Sequence, residues 1–169
     1  MRPLGHLATP VAVTLLTLGL SAPVRTGAAD AAAGNVISEV KAATEAFYAA
    51  LNRADAAAAD RFLLPGGDSF PRSGGKLDPE AATAEDSLKN LRALFDSGLR
   101  FRVAIRQLRV KPYGDMAVAT FYTEGTTQPA AGRPASQGIF RASYVWVRRP
   151  QGWQIAHFHL SPLTSGSTP

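Results

Sequence analysis

The stretch that decides the fold of this chain is GRPASQGIFRASYVWVRRPQGWQIAHFHLS, residues 132–161. Apolar and polar side chains alternate along 136–149 and again along 153–161, a period of two that is typical of half-buried β-strands. The proline and glycine of RPQG, residues 149–152, separate the two runs and favour a tight turn. The stretch therefore predicts two antiparallel strands joined by a hairpin.

The same alternation continues upstream and predicts two more strands. The first begins after Gly98 and has one apolar face and one strongly basic face. Its apolar residues are Phe101, Val103 and Ile105, and its basic residues are Arg100, Arg102 and Arg106. The second covers 117–128, after the turn sequence PYGD at 112–115, and a longer loop over 129–136 follows it.

The first half of the chain has the period of helices instead. Apolar residues recur every three to four positions over 36–51, which predicts an amphipathic helix. A short helix is predicted over 55–64 with Asp55 as its N-cap. Asp78-Pro79 predicts the start of a third helix, and Gly98 its end.

Helices followed by antiparallel strands indicate an α+β fold, in which N-terminal helices pack on a curved antiparallel sheet. Helices across the concave face of such a sheet leave a cone-shaped domain with an open-ended pocket. We expect a single domain over 36–162, a flexible lead-in over 30–35 and a disordered tail over 163–169.

Residues 1–29 have the features of an export signal. Arg2 gives a positive start, 11–22 form a short apolar run, and small residues around Ala29 offer a cleavage site. The run is shorter than the roughly 20 residues that a membrane-spanning helix needs. We therefore expect an exported protein, periplasmic or extracellular, with no membrane contact beyond export.

Composition removes several kinds of chemistry. The chain has no cysteine, which excludes disulfides, thiolate nucleophiles and iron–sulfur clusters. Its net charge of +5 is uneven, because 97–169 hold 9 basic and 2 acidic residues whereas 30–96 hold 7 basic and 11 acidic residues. A basic half attracts acidic ligands or nucleic acid. Since an exported protein rarely meets nucleic acid, we expect a solvated basic sheet face and no nucleic-acid partner.

Two stretches resemble a known superfamily. FYAALNRADAAAADRFLLPGGDSF, residues 47–70, resembles the opening of the nuclear transport factor two-like, or SnoaL-like, superfamily. Residues 132–161 resemble its end, and there most closely the association domain of calcium/calmodulin-dependent kinase II. The shared residues are Gly132, Arg133, Pro134, Ser136, Gln137, Val145, Trp146, Arg148, Arg149, Trp153, His157, His159 and Ser161. The resemblance implies the cone fold and a homodimer through the convex sheet face, or a larger ring. The superfamily includes isomerases, cyclases, dehydratases, oligomerisation hubs and binding proteins, so its fold alone does not assign the chemistry.

Four residues are candidates for catalysis. The resemblance to ketosteroid isomerases implies that Tyr48 donates a hydrogen bond to a substrate oxyanion, and Asp68 is the carboxylate nearest to that family's base. The second acid of that mechanism aligns with Ser143, so the complete mechanism is not predicted. His157 and His159 are expected on one strand face, in register with Trp153 and Ile155, as acid/base candidates. No third ligand accompanies the two histidines, so no metal site is predicted.

The predicted ligand-binding residues are mostly aromatic. They are Tyr48, Arg72, Tyr122, Tyr144, Trp146, His157 and His159. Phe140, Tyr144 and Trp146 share one face of a strand, and this face either lines the pocket or meets a second subunit. The sequence thus predicts an exported, homo-oligomeric protein that binds a small molecule, with no cofactor and no assignable catalysis. The alternatives are a cofactor-free isomerase or dehydratase that uses Tyr48 and a histidine, and a structural oligomerisation module.

Overall fold

The computed structural model describes residues 26–70, 77–79, 81–129 and 134–163. The helices are α1 (Thr26–Asn52), α2 (Ala56–Asp60) and α3 (Ala84–Asp96). The strands are β1 (Leu63–Phe70), β2 (Asp78–Pro79), β3 (Arg100–Tyr113), β4 (Met116–Gln128), β5 (Ser136–Arg149) and β6 (Gly152–Pro162). Residues 1–25 of the predicted export signal, 164–169 of the predicted tail, and Arg72 lie outside the described residues.

Helix α1 is longer than its apolar period predicts. Residues 30–35, predicted as a flexible lead-in, belong to it, and the three alanines at 31–33 have the highest intrinsic helix propensity. Among the described helices, none is both long enough and apolar enough to cross a membrane.

The C-terminal end of α1 is tied to the edge strand β3 by Asn52. Its Oδ1 accepts a hydrogen bond from the backbone N–H of Val103 at 3.0 Å, and its Nδ2 donates to the Val103 carbonyl at 2.8 Å. One side chain thus satisfies two backbone groups of a strand that has a neighbour on only one side. The contact holds α1 across the sheet.

The sequence predicted the start of α2 correctly but not the start of α3. Asp55 caps α2 as predicted, with its Oδ1 accepting from the N–H of Ala58 at 3.0 Å. The predicted start of the third helix at Asp78-Pro79 is wrong, because these two residues pair with β1 as strand β2. Helix α3 begins after Thr83, whose Oγ1 accepts from the N–H of Asp86 at 3.1 Å.

The end of α3 is the one predicted from its glycine. Gly98 has a φ of 96°, the left-handed conformation that glycine adopts without steric cost. Its N–H donates to the carbonyl of Phe95 at 3.0 Å, which satisfies one of the last carbonyls of the helix. The chain then enters β3 directly.

The strands form one sheet in the order β2-β1-β6-β5-β4-β3. β1 runs parallel to β6, and the other neighbouring strands are antiparallel. Both predicted tight turns are confirmed, because Tyr113 pairs with Met116 and Arg149 pairs with Gly152. With α1 and α3 on one side of this curved sheet, the predicted cone-shaped α+β fold is confirmed.

The core lies between the helices and the concave face of the sheet. On β5, Tyr144 and Trp146 are fully buried and lie opposite Ala119 and Ala117 of β4. Small residues of β4 thus make room for the large aromatic rings of β5 under the helices. The aromatic face of β5 is therefore the face that packs against the helices.

A β-bulge in β6 decides which residues reach this core. Trp146 pairs with Ile155, but the next residue of β5, Val145, pairs with His157, so Ala156 is an extra residue in β6. An extra residue reverses the side-chain alternation that follows it. Trp153 and Ile155 face the core, whereas His157 and His159 face the convex side. The prediction that all four share one face is wrong for this reason.

Candidate functional site

A cavity of about 560 Å³ lies between α1, α3 and the concave face of the sheet. Its size is within the range of small-molecule sites, roughly 300–1,000 Å³. Its apolar lining comes from α1, α3, strands β1, β3, β5 and β6, and one residue of the segment before α3. These residues are Phe47, Leu51, Leu63, Ala81, Leu91, Leu94, Phe101, Val103, Phe140, Phe158 and Leu160.

Two tyrosine hydroxyls are hydrogen-bonded to each other in the wall of this cavity. The hydroxyl oxygens of Tyr48 on α1 and Tyr144 on β5 are 2.7 Å apart, and either one can donate. Both side chains line the cavity yet are only 6% and 2% exposed. The ring of Phe121 packs edge-on against Tyr48 with centroids 5.6 Å apart. The two hydroxyls thus form a hydrogen-bonded polar group within an otherwise apolar part of the cavity wall.

Three further polar side chains line the cavity: Ser87 and Asn90 on α3 and Thr123 on β4. Ser87 and Thr123 are buried and Asn90 is exposed, so Asn90 marks the side of the cavity that meets solvent. No charged side chain lines the cavity within the part of the chain that the structure describes. The arrangement offers hydrogen bonds without a formal charge.

The structure does not bring Asp68, His157 and His159 to this cavity. In the parallel pairing of β1 and β6, Asp68 lies beside His157 and Phe70 beside His159, all on the convex face. Nδ1 of His157 contacts Oδ1 of Asp68. The ring of Phe70 packs edge-on against His157 and His159, with centroids 5.9 and 5.7 Å away.

This placement corrects the predicted acid/base set. Tyr48 faces the concave cavity while the two histidines and Asp68 lie across the sheet from it, so the four do not converge. Ser69, between Asp68 and Phe70, is the β1 residue that is buried on the concave side. Among the described residues, no group of three or more histidine, aspartate or glutamate side chains could hold a metal ion.

Two predicted aromatic residues also lie away from the cavity. Tyr122 pairs with Arg141, which points to the convex face, so it does not join the aromatic face of β5. Trp146 is 0% exposed and packs against Phe62 with ring centroids 6.2 Å apart, so it belongs to the core below the cavity. Of the predicted residues that the structure describes, Tyr48 and Tyr144 line the cavity.

Sequence reasoning missed Phe158 and Leu160 as lining residues. They alternate with the two histidines, and the bulge at Ala156 turns them to the concave face. Phe158 lies 5.4 Å from Tyr144 between ring centroids. The apolar residues change phase between Ile155 and Phe158, which is the sequence signal that marks the bulge. Of the α3 residues that close the cavity, Leu91 and Leu94 supply apolar surface and Ser87 and Asn90 supply polar groups.

A polar cluster beside the cavity ties α1 to the last two strands. Oε2 of Glu39 accepts hydrogen bonds from Trp153 Nε1 and Arg148 Nη2, each at 2.8 Å. The Arg148 guanidinium also lies 4.6 Å from the centre of the Trp153 ring. The hydrogen bond from Trp153 lowers the pKa of Glu39, and the charge and hydrogen bond of Arg148 add to this against partial desolvation.

Residues 40–165 match the family model of the SnoaL-like domain. A search of curated protein sequences finds no match. Similar solved structures include a proposed dehydratase of the NTF2-like family from Streptomyces avermitilis, with 19% identity, a TM-score of 0.64, and 78% of this chain and 99% of that chain covered. A ketosteroid isomerase-like protein from Erwinia carotovora atroseptica has 21% identity, a TM-score of 0.60, and 76% and 96% covered.

A proposed calcium/calmodulin-dependent protein kinase II association domain from Xanthomonas campestris has 19% identity, a TM-score of 0.58, and 76% and 88% covered. At these identities the structural likeness shows the fold alone. The family match covers most of the chain and agrees with the helix-then-sheet architecture. The chain belongs to the SnoaL-like domain family.

Proposed function

We propose that this protein binds a small, neutral, largely apolar molecule in the cavity between α1, α3 and the sheet. The observation that carries the proposal is the lining itself, in which apolar side chains surround the hydrogen-bonded Tyr48–Tyr144 pair. Sites of this composition bind through apolar contact and orient the ligand through a few placed polar groups. The ligand therefore carries an oxygen or nitrogen that reaches the tyrosine pair.

The absence of charge in the described lining sets the ligand class. A buried ionised group without a partner is costly, so a charged ligand is disfavoured in this cavity. The cavity is open space and not filled by its own side chains, which favours binding over a purely structural module. No carboxylate or imidazole among the described lining residues can serve as a base beside Tyr48. We therefore propose binding and not isomerase or dehydratase chemistry.

A neutral fluorescent probe, N-phenyl-1-naphthylamine, tests the binding proposal. Leu94 lines the cavity and is partly exposed, so Leu94→Trp fills space without cutting into the core. Leu163 is exposed to a similar extent and does not line the cavity, so Leu163→Trp is the matched control. We expect L94W to weaken probe binding about tenfold or more and L163W to leave it nearly unchanged. Equal binding by both variants would place the probe elsewhere.

We also propose that the protein is exported and forms a homodimer. Export rests on the pattern of residues 1–29, and N-terminal mass spectrometry of protein from the culture medium or periplasm tests it. The dimer rests on the frequent dimerisation of this fold and on an apolar patch at one end of the convex face. The patch comprises Tyr113, Met116, Val118, Val145 and Val147, which neighbour one another through cross-strand pairing.

The second copy is the expected occupant of this patch. Tyr113 and Met116 are 62% and 47% exposed, and a contiguous exposed apolar patch is typical of a protein–protein contact site. Met116→Glu is expected to shift sedimentation toward the monomer, and Leu77→Glu, a change at an exposed leucine elsewhere, is expected to leave it unchanged. A wild-type protein that sediments as a monomer at all concentrations would contradict the dimer.

A further inference from the structure

The convex face holds a second, polar cavity that the proposed function does not use. It measures about 360 Å³ and lies over β3, β4 and β5, across the sheet from the apolar cavity. Its polar lining residues are Gln107, Arg109, Thr120, Tyr122, Arg141 and Ser143. Every one of these side chains can donate a hydrogen bond, and two of them carry a positive charge.

Cross-strand pairing sets the positions of these side chains. Arg109, Thr120 and Ser143 lie side by side in one row across the three strands. Tyr122 and Arg141 form the next row. Side chains directly opposite each other in neighbouring strands lie on the same face, about 5 Å apart at their Cβ atoms. The guanidinium groups of Arg109 and Arg141 therefore lie on either side of three hydroxyl groups, in a single cavity on the convex face.

A bulge in β3 contributes to this arrangement. The register shifts between Arg106 and Arg109, and Gln107 has a φ of 54°, a left-handed conformation that is strained for a residue with a side chain. Strained backbone of this kind persists where surrounding structure holds it, often at binding sites. Here it brings Gln107 and Arg109 to the edge of the same cavity.

The charges at this cavity are not balanced by acids of the chain. Among the described residues Arg109 makes no ion pair or side-chain hydrogen bond, and Arg141 donates to the carbonyl of Pro162 at 3.1 Å. Glu124, the one acidic residue of β4, is bound to Arg106 with Nε and Oε2 3.0 Å apart. No carboxylate lines the cavity within the described ranges.

We propose that this cavity binds a tetrahedral oxyanion, the phosphate or sulfate group of a small molecule or lipid headgroup. Guanidinium groups bind such oxyanions through paired, charge-assisted hydrogen bonds, and the hydroxyls of Thr120, Tyr122 and Ser143 supply donors for the remaining oxygens. Two positive charges match a dianion better than a monocarboxylate. The site lies one row, about 7 Å, from the apolar patch of the proposed dimer. An interface of ordinary size centred on that patch would reach it, so oxyanion binding is expected to compete with dimerisation.

Calorimetric titration of the full chain with inorganic phosphate, in a phosphate-free buffer of low ionic strength, tests the proposal. Arg102 is the matched control for Arg109, because it lies on the same strand and face, is exposed, and does not line the cavity. We expect Arg109→Gln and Arg141→Gln each to weaken phosphate binding about tenfold or more, and Arg102→Gln by about twofold or less. Acetate is expected to bind more weakly than phosphate to the wild type.

Three results would overturn the proposal: no saturable phosphate binding, equal weakening by R102Q and R109Q, or acetate binding as tight as phosphate. Binding to vesicles of phosphatidylcholine, with and without phosphatidic acid, distinguishes a lipid headgroup from a soluble small molecule as the source of the oxyanion. Binding to phosphatidic acid vesicles that phosphate reverses supports a lipid headgroup, and phosphate binding without vesicle binding supports a soluble ester. The fluorescent-probe titration of the apolar cavity does not depend on phosphate binding. The oxyanion proposal and the proposed function can therefore be refuted separately.

Discussion

Replacing Tyr144 with phenylalanine removes one hydroxyl group from the bonded pair in the cavity wall and leaves the shape of the wall unchanged. Tyr48 and Tyr144 are both buried, and their oxygens are 2.7 Å apart. Removing one partner of a buried hydrogen bond costs about 1–3 kcal/mol, because the remaining hydroxyl loses its partner within the cavity wall. We expect each of Tyr48→Phe and Tyr144→Phe to lower the free energy of unfolding by about this amount.

The double variant, Tyr48→Phe with Tyr144→Phe, measures the coupling free energy between the two hydroxyls. When both hydroxyls are removed, neither is left without its partner, so the combined cost is expected to be no larger than that of the costlier single change. The coupling free energy is then about 1 kcal/mol or more, measured by urea unfolding of the four proteins in a double-mutant cycle. In a thermal scan each single change lowers the Tm by roughly 3–5 °C per kcal/mol.

Ser136→Ala is the control for loss of a side-chain hydroxyl, because Ser136 is exposed and lies outside both cavities and the proposed dimer patch. Its stability is expected to change by less than about 0.5 kcal/mol. If the losses in the free energy of unfolding of Y48F and Y144F add up in the double variant to within about 0.5 kcal/mol, the two hydroxyls are not coupled. That result would refute the hydrogen bond between them and the proposal that the pair orients a ligand in the cavity.

Three further predictions follow from single contacts. Because the pKa of Glu39 is lowered in the folded state, its contact with Trp153 stabilises the protein above pH 4.5, the ordinary pKa, and is lost as the pH falls through the folded value. The stability gap between wild type and Glu39→Gln, measured by urea unfolding, should therefore shrink on acidification. Gly125→Ala should destabilise the protein by about 2 kcal/mol or more in the same assay, since its Cβ would lie 2.0 Å from the carbonyl oxygen of Arg102. His157→Ala should leave the affinity for the neutral probe unchanged in a fluorescence titration, because His157 faces the convex side; a large loss would contradict the bulge.

The helices and long strands could be predicted from the sequence because each has a strong period. The apolar repeat over 36–51 and the alternation after Gly98 correctly predicted α1 and the strands β3 to β6, whereas β1 and β2, between α2 and α3, have no such period. Turns with glycine and proline were equally clear, and both two-residue hairpins are where their residues predict. Local chemistry is sufficient at these positions.

The candidate site was predicted less well, because it depends on which face each residue occupies. Alternation carried past Ala156 assigns His157 and His159 to the core face, and a single bulge reverses that assignment. The bulge lies where β6 pairs with β1 in parallel, and Gly67 passes so close that an added Cβ would lie 2.7 Å from the Ala156 carbonyl oxygen. That contact joins residues far apart in the chain, and the only local sign of the bulge is the change of phase of the apolar residues between Ile155 and Phe158.

The face that Tyr122 of β4 occupies could not be predicted from the sequence either, because it depends on strand register. Its aromatic ring suggested membership of the β5 aromatic face, but its register partner is Arg141 and not Phe140. The register is set by the whole β4–β5 pairing, which the sequence predicts only as a hairpin. The same pairing placed Tyr122 and Arg141 together in the polar cavity on the convex face.

The most direct test of the account is to locate the bound probe by isotope-filtered nuclear Overhauser spectroscopy. In protein with labelled tyrosine, phenylalanine and histidine, we predict contacts from N-phenyl-1-naphthylamine to the rings of Tyr48, Tyr144 and Phe158, which line the apolar cavity. Contacts to the His157 and His159 rings, with none to the tyrosine pair, would contradict both the concave site and the bulge that separates it from the histidines.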